Sequence, residues 1–455
     1  GKELSARELL DFGWQAIDAE LDAQPEIQVE MLTTVGETYR QLGQYERAEP
    51  LFQRALELTR AHPALPAASR AAVVRGLGRV AITLGKFDAS GDLLKQAEAL
   101  YRDGGADAAG DVAATLNDRG MLAHMRANYA EAEPLFREAL ALRRGLYGER
   151  HRDVAESLGW LGNCLRARGD YRAAEPLLRQ SLALNRELLP AGHTLIANDM
   201  SNLAAAQRSL GQYVEAEALY REALADMTRT RGEDHIYVAT LMNNLARVLK
   251  SLEKYDEAEA LLLRALETRR KQLDPKHPAI AMNLSDLGWI TEGAGKLDVA
   301  ERYYREALAL YAPDHTWRSS AVFNLGSVLE KRGDLAGAER QYREALEAQR
   351  KQYGEAHEFV GIDLRQLGIV LTRQGRVDEA LVALRESLRI FEARFNAEDP
   401  RIAEVLVALR NALPGAQNAA EADAALRRAH AIRVAAYGAD DARTRELAQQ
   451  LPRAQ

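Results

Sequence analysis

At 455 residues the chain is long enough for two or three ordinary domains, and 47% apolar residues suffice to bury a core. Charged residues make up 28%, and the formal net charge is −7, which argues against nucleic acid as a partner because such binders carry a basic excess. No run approaches the roughly 18 uninterrupted apolar residues of a membrane span, so no membrane insertion by this chain is expected.

Residues 1–25 read as a helical lead-in or N-terminal cap, with Leu9, Leu10 and Ile17 on an apolar spacing. The chain opens on Gly1 rather than Met, the expectation for a piece of something larger. From there one unit repeats. The stretch Gly43-Gln-Tyr45-Glu-Arg-Ala48-Glu-Pro-Leu-Phe52 returns as Asn128-Tyr129-Ala-Glu-Ala132-Glu-Pro-Leu-Phe136, and again after Gly169, Gly211 and Glu253. The turn slot falls at 43, 85, 127, 169, 211, 253 and 295, always 42 apart, then at 333, 375 and 417. One interval is therefore 38, and Tyr311-Ala-Pro313-Asp-His315-Thr-Trp317 replaces the usual link. An irregular junction near 308–320, with a local change in superhelix curvature, is the expectation. Ten units occupy 26–441, and 442–455 reads as a C-terminal capping segment.

Each unit predicts two antiparallel helices. A small residue sits seven before the turn slot (Gly36, Gly78, Gly120, Gly162, Ala204, Ala246, Gly288, Gly326, Gly368). Others sit five after it (Ala48 to Ala422, with Ser90) and twelve after it (Ala55 to Ala429, with Ser181 and Ser387). Small side chains at fixed points let paired helices approach closely, while larger neighbours fill the remaining space. No unit buries its apolar face alone, so stacking on neighbours must.

This pattern resembles tetratricopeptide repeats, whose standard unit is about 34 residues. The links Leu146-Tyr-Gly148-Glu-Arg-His151, Arg231-Gly232-Glu-Asp-His235 and Leu273-Asp-Pro275-Lys-His277-Pro278, followed by Asn243-Asn244-Leu245-Ala246 in the sixth unit, closely resemble kinesin light chains and their bacterial relatives over residues 29–440. The resemblance implies an all-α fold, a right-handed superhelical solenoid of about ten tetratricopeptide-type helix pairs. The lead-in Ser5-Ala6-Arg7-Glu8-Leu9-Leu10-Asp11, with Gln24-Pro25-Glu26, resembles the segment joining kinase and repeats in bacterial receptor-type serine/threonine kinases. That likeness implies a sensory or docking half of such a kinase, cytoplasmic or periplasmic.

Motifs for chemistry are weak. His151-Arg152-Asp153 mimics a kinase triplet but no Asn follows at the required spacing, and Gly76-Leu-Gly78 lies inside a helix with no strand before it. His151, His193, His235, His277 and His357 share one link slot. Metal ligands must converge within about 2 Å of one point, whereas one histidine per repeat spreads them out, so they read as bonding the link to a helix end. Cys164 reads as a buried small hydrophobe. No catalytic residue, metal or cofactor is expected.

In such a superhelix the first helix of each pair lines a concave groove. Counting the turn slot as position 15, the groove slots are 2, 5, 6, 9, 12 and 13. They carry Asn117, Asn163, Asn202, Asn243, Asn244 and Asn324, whose amides can pair with the backbone of an extended peptide. They also carry Arg166, Arg208, Arg247 and Lys250, a basic stretch suited to carboxylates or a free C-terminus, with Trp289 beyond it. Kinesin-light-chain-like repeats use equivalent slots for peptide cargo, which the resemblance carries to Asn202, Asn243, Asn244, Arg208 and Arg247. The expected function is a non-catalytic scaffold for a protein or peptide partner, and the alternative is a self-assembling structural solenoid.

Overall fold

The structure, a computed structural model, describes residues 24–451 apart from 414, 416 and 417, so the lead-in over 1–23 and the last four positions lie outside the described residues. Among the described residues there are 21 α-helices, one 3-10 turn at Gly105–Ala108, and no strand. The chain divides into two compact units, 1–230 and 231–455. In the first unit α1 (Pro25–Gln41) pairs with α2 (Tyr45–Ala61), and α3 (Ala67–Thr83) with α4 (Phe87–Asp103). Then α5 (Ala109–Met125) pairs with α6 (Tyr129–Tyr147), and α7 (Arg152–Arg168) with α8 (Tyr171–Leu188). The fifth pair is α9 (Thr194–Ser209) and α10 (Tyr213–Arg231), joined by the Tyr220 hydroxyl donating to the Ser201 carbonyl at 3.2 Å.

The second unit holds α11 (Ile236–Ser251) with α12 (Tyr255–Gln272), α13 (Pro278–Gly293) with α14 (Leu297–Leu310), and α15 (Arg318–Lys331) with α16 (Leu335–Tyr353). Next come α17 (Glu358–Arg373) with α18 (Val377–Arg394), and α19 (Pro400–Ala412) with α20 (Ala419–Tyr437). Finally α21 (Ala442–Gln450) packs on α20 and buries Leu447. Helices α14 and α15 have 14 residues each, against 16 to 19 for α11 to α13 and α16 to α18. The four residues missing at the 38-residue interval are taken from helix length.

The turn within each pair follows from one backbone requirement. Every described turn slot is left-handed: Gly43, Gly85, Gly169, Gly211, Gly295, Gly333 and Gly375 lie at φ 72–92°, and Ala127 and Glu253 lie at 56° and 59°. At Gly169 the N–H donates to the Arg166 carbonyl and the next N–H to that of Leu165, satisfying helix-end carbonyls before the chain reverses.

Close approach then sets the pair geometry. A Cβ added at Gly120 would lie 2.7 Å from the Phe136 ring, and one at Gly162 would lie 2.7 Å from Leu178. The large residue nine after the turn slot thus fills the space left by the small residue seven before it. Ala48, Ala132, Ala174, Ala216, Ala258, Ala300, Ala338 and Ala380 have no solvent exposure. Where Ser replaces Ala, it donates across the interface: Ser90 to the Gly78 carbonyl at 2.9 Å and Ser387 to that of Gly361 at 2.7 Å.

Successive pairs are fastened at the links. His151, His193, His235, His277 and His357 are the N-cap residues of α7, α9, α11, α13 and α17. Each Nδ1 accepts the backbone N–H two residues on, at 3.1–3.3 Å. The link histidines therefore bond to helix starts, and among the described residues no His, Cys, Asp and Glu side chains converge as a metal site.

A second fastening is a buried polar pair 14 residues apart, from a second helix to the next first helix. Arg143 donates to Ser157 at 2.8 Å, Asn185 to Asp199 at 2.7 Å, and Arg269 to Asn283 at 2.9 Å. At the same slots Gln349 and Asp363 leave Oε1 and Oδ2 buried without a partner. Along the outer rows, Arg102–Glu138, Arg186–Glu222, Arg350–Glu386 and Arg385–Glu421 are ion pairs 36 residues apart, at 2.6–2.9 Å. Arg350–Glu386 is half-buried and the other pairs are exposed, so each exposed pair contributes at most about 1 kcal/mol.

Candidate functional site

The candidate face is carried by the first helices. In the first unit Asp118, on α5, takes Arg75 Nε of α3 at 2.7 Å and lies 3.6 Å from Arg79 Nε. Asn117 is a correction to the sequence reading. It is buried, 4% exposed, with its Oδ1 unpartnered, because the slot turns toward the neighbouring helices rather than to solvent. Asn163 on α7 is half-buried, and its Oδ1 accepts from Arg166 Nε at 3.3 Å.

That amide is the one hydrogen-bond partner of the Arg166 side chain among the described residues, and no carboxylate pairs with it. Next to it, the His124 ring meets Tyr129 and Trp160 edge-on, with centroids 5.3 and 6.2 Å away. Burial pulls the His124 pKa down, and the Arg166 charge adds to that. On α9, Asn202 and Arg208 are half-buried and make no side-chain hydrogen bond or ion pair with another described residue.

The second unit is wired differently. Asn243 is a second correction: it is 2% exposed, accepts from Arg269 Nη1 at 2.8 Å and donates to Asp286. Arg247 is a third, because its Nε and Nη2 bind Asp286 at 3.1 and 2.9 Å. Arg269 also holds Asn283, which donates to the Leu262 carbonyl at 3.1 Å. Burial pushes the Asp286 carboxyl up, and Arg247 and Arg269 oppose that shift. Two of the residues expected to greet a peptide, buried Asn243 and half-buried Arg247, are joined in a network linking α11, α12 and α13.

Lys250 Nζ stands 3.6 Å from the centroid of the Trp289 ring, so Trp289 is a platform for that ammonium. Burial pulls the Lys250 pKa down, and nearby Glu292 opposes it. Glu292 itself accepts from Tyr304, Ser327 and Lys331 at 3.2, 2.7 and 2.8 Å. Asn244 and Asn324 are half-buried, with no side-chain hydrogen bond to another described residue.

One slot, three residues before the turn slot, carries Arg166, Arg208, Lys250, Glu292 and Glu330 in order. Glu330, like Glu292, is occupied, taking Tyr342 at 2.9 Å and Arg373 at 3.0 Å. Free positive charge on the first-helix face is thus found at Arg166 and Arg208 of the first unit. The sequence could have revealed the Arg247 pairing, since an acid at 286 lies 39 residues on, as Asp118 lies 39 after Arg79.

Among the described residues no helix is long and apolar enough to cross a membrane. The sequence profile described as "Tetratricopeptide repeat" matches residues 28–103, 111–187, 195–271, 237–312 and 318–393. A search of curated proteins found no match. Among solved structures, the chain is similar to the apo form of RapI, at 15% identity, over 80% of this chain and 97% of that one, with a TM-score of 0.59. It is also similar to BtubC (BKLC) from P. vanneervenii, at 26% identity, covering 50% of this chain and 91% of that one, TM-score 0.40. A protein from Podosopora anserina, titled as a kinesin light chain with nearly identical TPR-like repeats, matches at 21% identity over 45% of this chain and 98% of that one, TM-score 0.39.

Proposed function

The chain belongs to the tetratricopeptide-repeat family, and from that premise we propose that it is a non-catalytic scaffold whose first unit binds an acidic polypeptide segment. The observation that carries this reading is the pair Arg166 and Arg208, two guanidiniums on the first-helix face with no carboxylate partner among the described residues. An arginine left without an acid on a surface dense with ion pairs is ready to take one from outside, and its fork fits a carboxylate in two-point fashion. Asn163 and Asn202 stand on the same helices and would hold the peptide backbone.

In the second unit the proposed contacts are Asn244, Asn324 and the Lys250–Trp289 pair, while Asn243 and Arg247 support from beneath. The lead-in resemblance extends the proposal to a docking half of a bacterial serine/threonine kinase. It rests on residues that lie mostly outside the described ones.

The test is a calorimetric titration with a glutamate-rich peptide, and with the partner recovered from source cells. Arg166→Glu with Arg208→Glu should weaken binding at least about tenfold, the worth of a charged hydrogen bond. The melting curve should stay in place because neither side chain holds an internal ion pair. Unchanged affinity would move the site off this face. Concentration-dependent light scattering with no peptide binding would favour the self-assembling solenoid instead.

A further inference from the structure

The five capping histidines make a bond that works in one protonation state only. Nδ1 of His151, His193, His235, His277 and His357 accepts the N–H of Asp153, Leu195, Tyr237, Ala279 and Phe359. An imidazole with a proton on Nδ1 cannot accept, and as a cation it also faces the positive end of the helix dipole. All five rings are half-buried or exposed, so protons reach them from solvent. The same slot in the last link carries Asp399, whose Oδ1 accepts from the Arg401 N–H at 2.9 Å. The position therefore carries an acceptor throughout, including His315, whose Nδ1 accepts the Trp317 N–H at 3.2 Å, and at the five N-caps that acceptor is an imidazole nitrogen that can take up a proton.

We propose that these histidines form a distributed acid-sensitive device. Protonation of the rings at Nδ1 removes these helix caps and loosens the first turns of α7, α9, α11, α13 and α17. Two of those helices carry Asn163–Arg166 and Asn202–Arg208, so the loosening reaches the candidate face. The inference goes beyond the proposed function, because it holds whatever the face binds.

Charges of both signs surround the rings. His151 stacks on Tyr147 of α6 at 4.2 Å, between Arg150, which pairs with Glu187, and Arg152. His193 lies beside Gly192, which packs against Arg229 of α10, itself paired to Asp226. His235 follows Glu233, paired to Arg264, and Asp234, which feels Lys271 of α12. His277 has Asp274 and Lys276 in its own link, and Asp274 caps the Lys276 N–H. His357 stacks on Tyr353 of α16 at 4.5 Å. Burial, chiefly, and then Arg394 of α18 pull its pKa down, while Glu358 opposes them. Acids also stand close by: Asp153, whose N–H His151 accepts, and Glu358, paired with Arg401, beside His357.

Three groups elsewhere are shifted by their surroundings. Burial also pulls His124 down, whereas it raises Asp199 to about 6 and Asp363 to about 8, with the opposite effect of acid on stability. A comparison that leaves these three and His315 in place isolates the five N-caps. The variant is the full chain with His151, His193, His235, His277 and His357 all changed to Asn, a capping residue that does not titrate.

Melting is followed from pH 7.5 to 5.5, with hydrogen exchange, corrected for intrinsic rates, at the first turns of the five helices. Measured against the variant, the parent should lose melting temperature as pH falls across this window, because the variant keeps every other titrating group. Exchange at the first turns should rise with acid in the parent only. Superimposable pH profiles would overturn the proposal, as would parent first turns whose protection ignores pH. If the fivefold variant folds poorly, His277→Asn alone should lose the acid response at the start of α13 and keep it at the start of α11. A response retained at α13 would equally overturn it.

Discussion

Ala127 and Glu253 occupy turn slots where the other described positions are glycine, and both hold positive φ. A side chain in the left-handed region costs about 1–2 kcal/mol, partly offset by the greater freedom glycine would have in the unfolded chain. Ala127→Gly or Glu253→Gly should therefore stabilise by about 0.5–1 kcal/mol, read as a rise in denaturation midpoint at unchanged slope. Asp363 gives a second expectation. Burial alone lifts its carboxyl to about 8, and no partner meets its Oδ2. The folded pKa lies above the unfolded value, so the folded state keeps a proton that the unfolded chain releases. Its contribution is fully present below the unfolded pKa near 4 and is lost as pH rises toward about 8. Asp363→Asn should remove that slope and raise stability at pH 7 by more than about 1 kcal/mol. Parallel pH–stability curves for parent and variant would count against it.

At the scale of helix pairs, stability comes from close approach rather than from propensity. Ala258 has no exposure, at the slot where α12 meets its partner α11. Ala258→Leu should overpack that contact and cost about 1–3 kcal/mol, measured as a lowered melting temperature with helicity retained. Those small-residue slots were legible because they recur at a fixed spacing, and the structure places the partner residue nine positions after each turn. The histidine slot was legible in the same way, and it caps helices. What the repeat could not disclose is how a slot is used in one unit and not the next. Arg208 and Arg247 are three residues apart in register, yet Arg247 is committed to Asp286, while Arg208 forms no ion pair with another described residue. Asn243 and Asn244 are neighbours in sequence, but one is sealed between helices and the other is half-exposed. One step along a helix turns a side chain by about 100°, enough to separate network from surface.

Across the molecule, the ion pairs that bridge neighbouring repeats lie mostly on the surface, so salt screens them with little loss of stability. Raising ionic strength from about 0.1 to 1 M should shift the melting temperature by only a few degrees, whereas capture of an acidic segment by Arg166 and Arg208 should weaken steeply. A large melting shift would mean that those pairs carry more of the fold than their exposure implies. The number of helix pairs, their turns and their packing residues were determined by the sequence itself. Each of these is a local requirement, repeated every 42 residues: a left-handed turn, a small side chain, a capping acceptor. The face that remains open to a partner was decided only by tertiary structure. It depends on which acids, from helices some 40 residues away, fold back onto the arginines and neutralise them, as Asp286 does for Arg247 and no described residue does for Arg166 and Arg208.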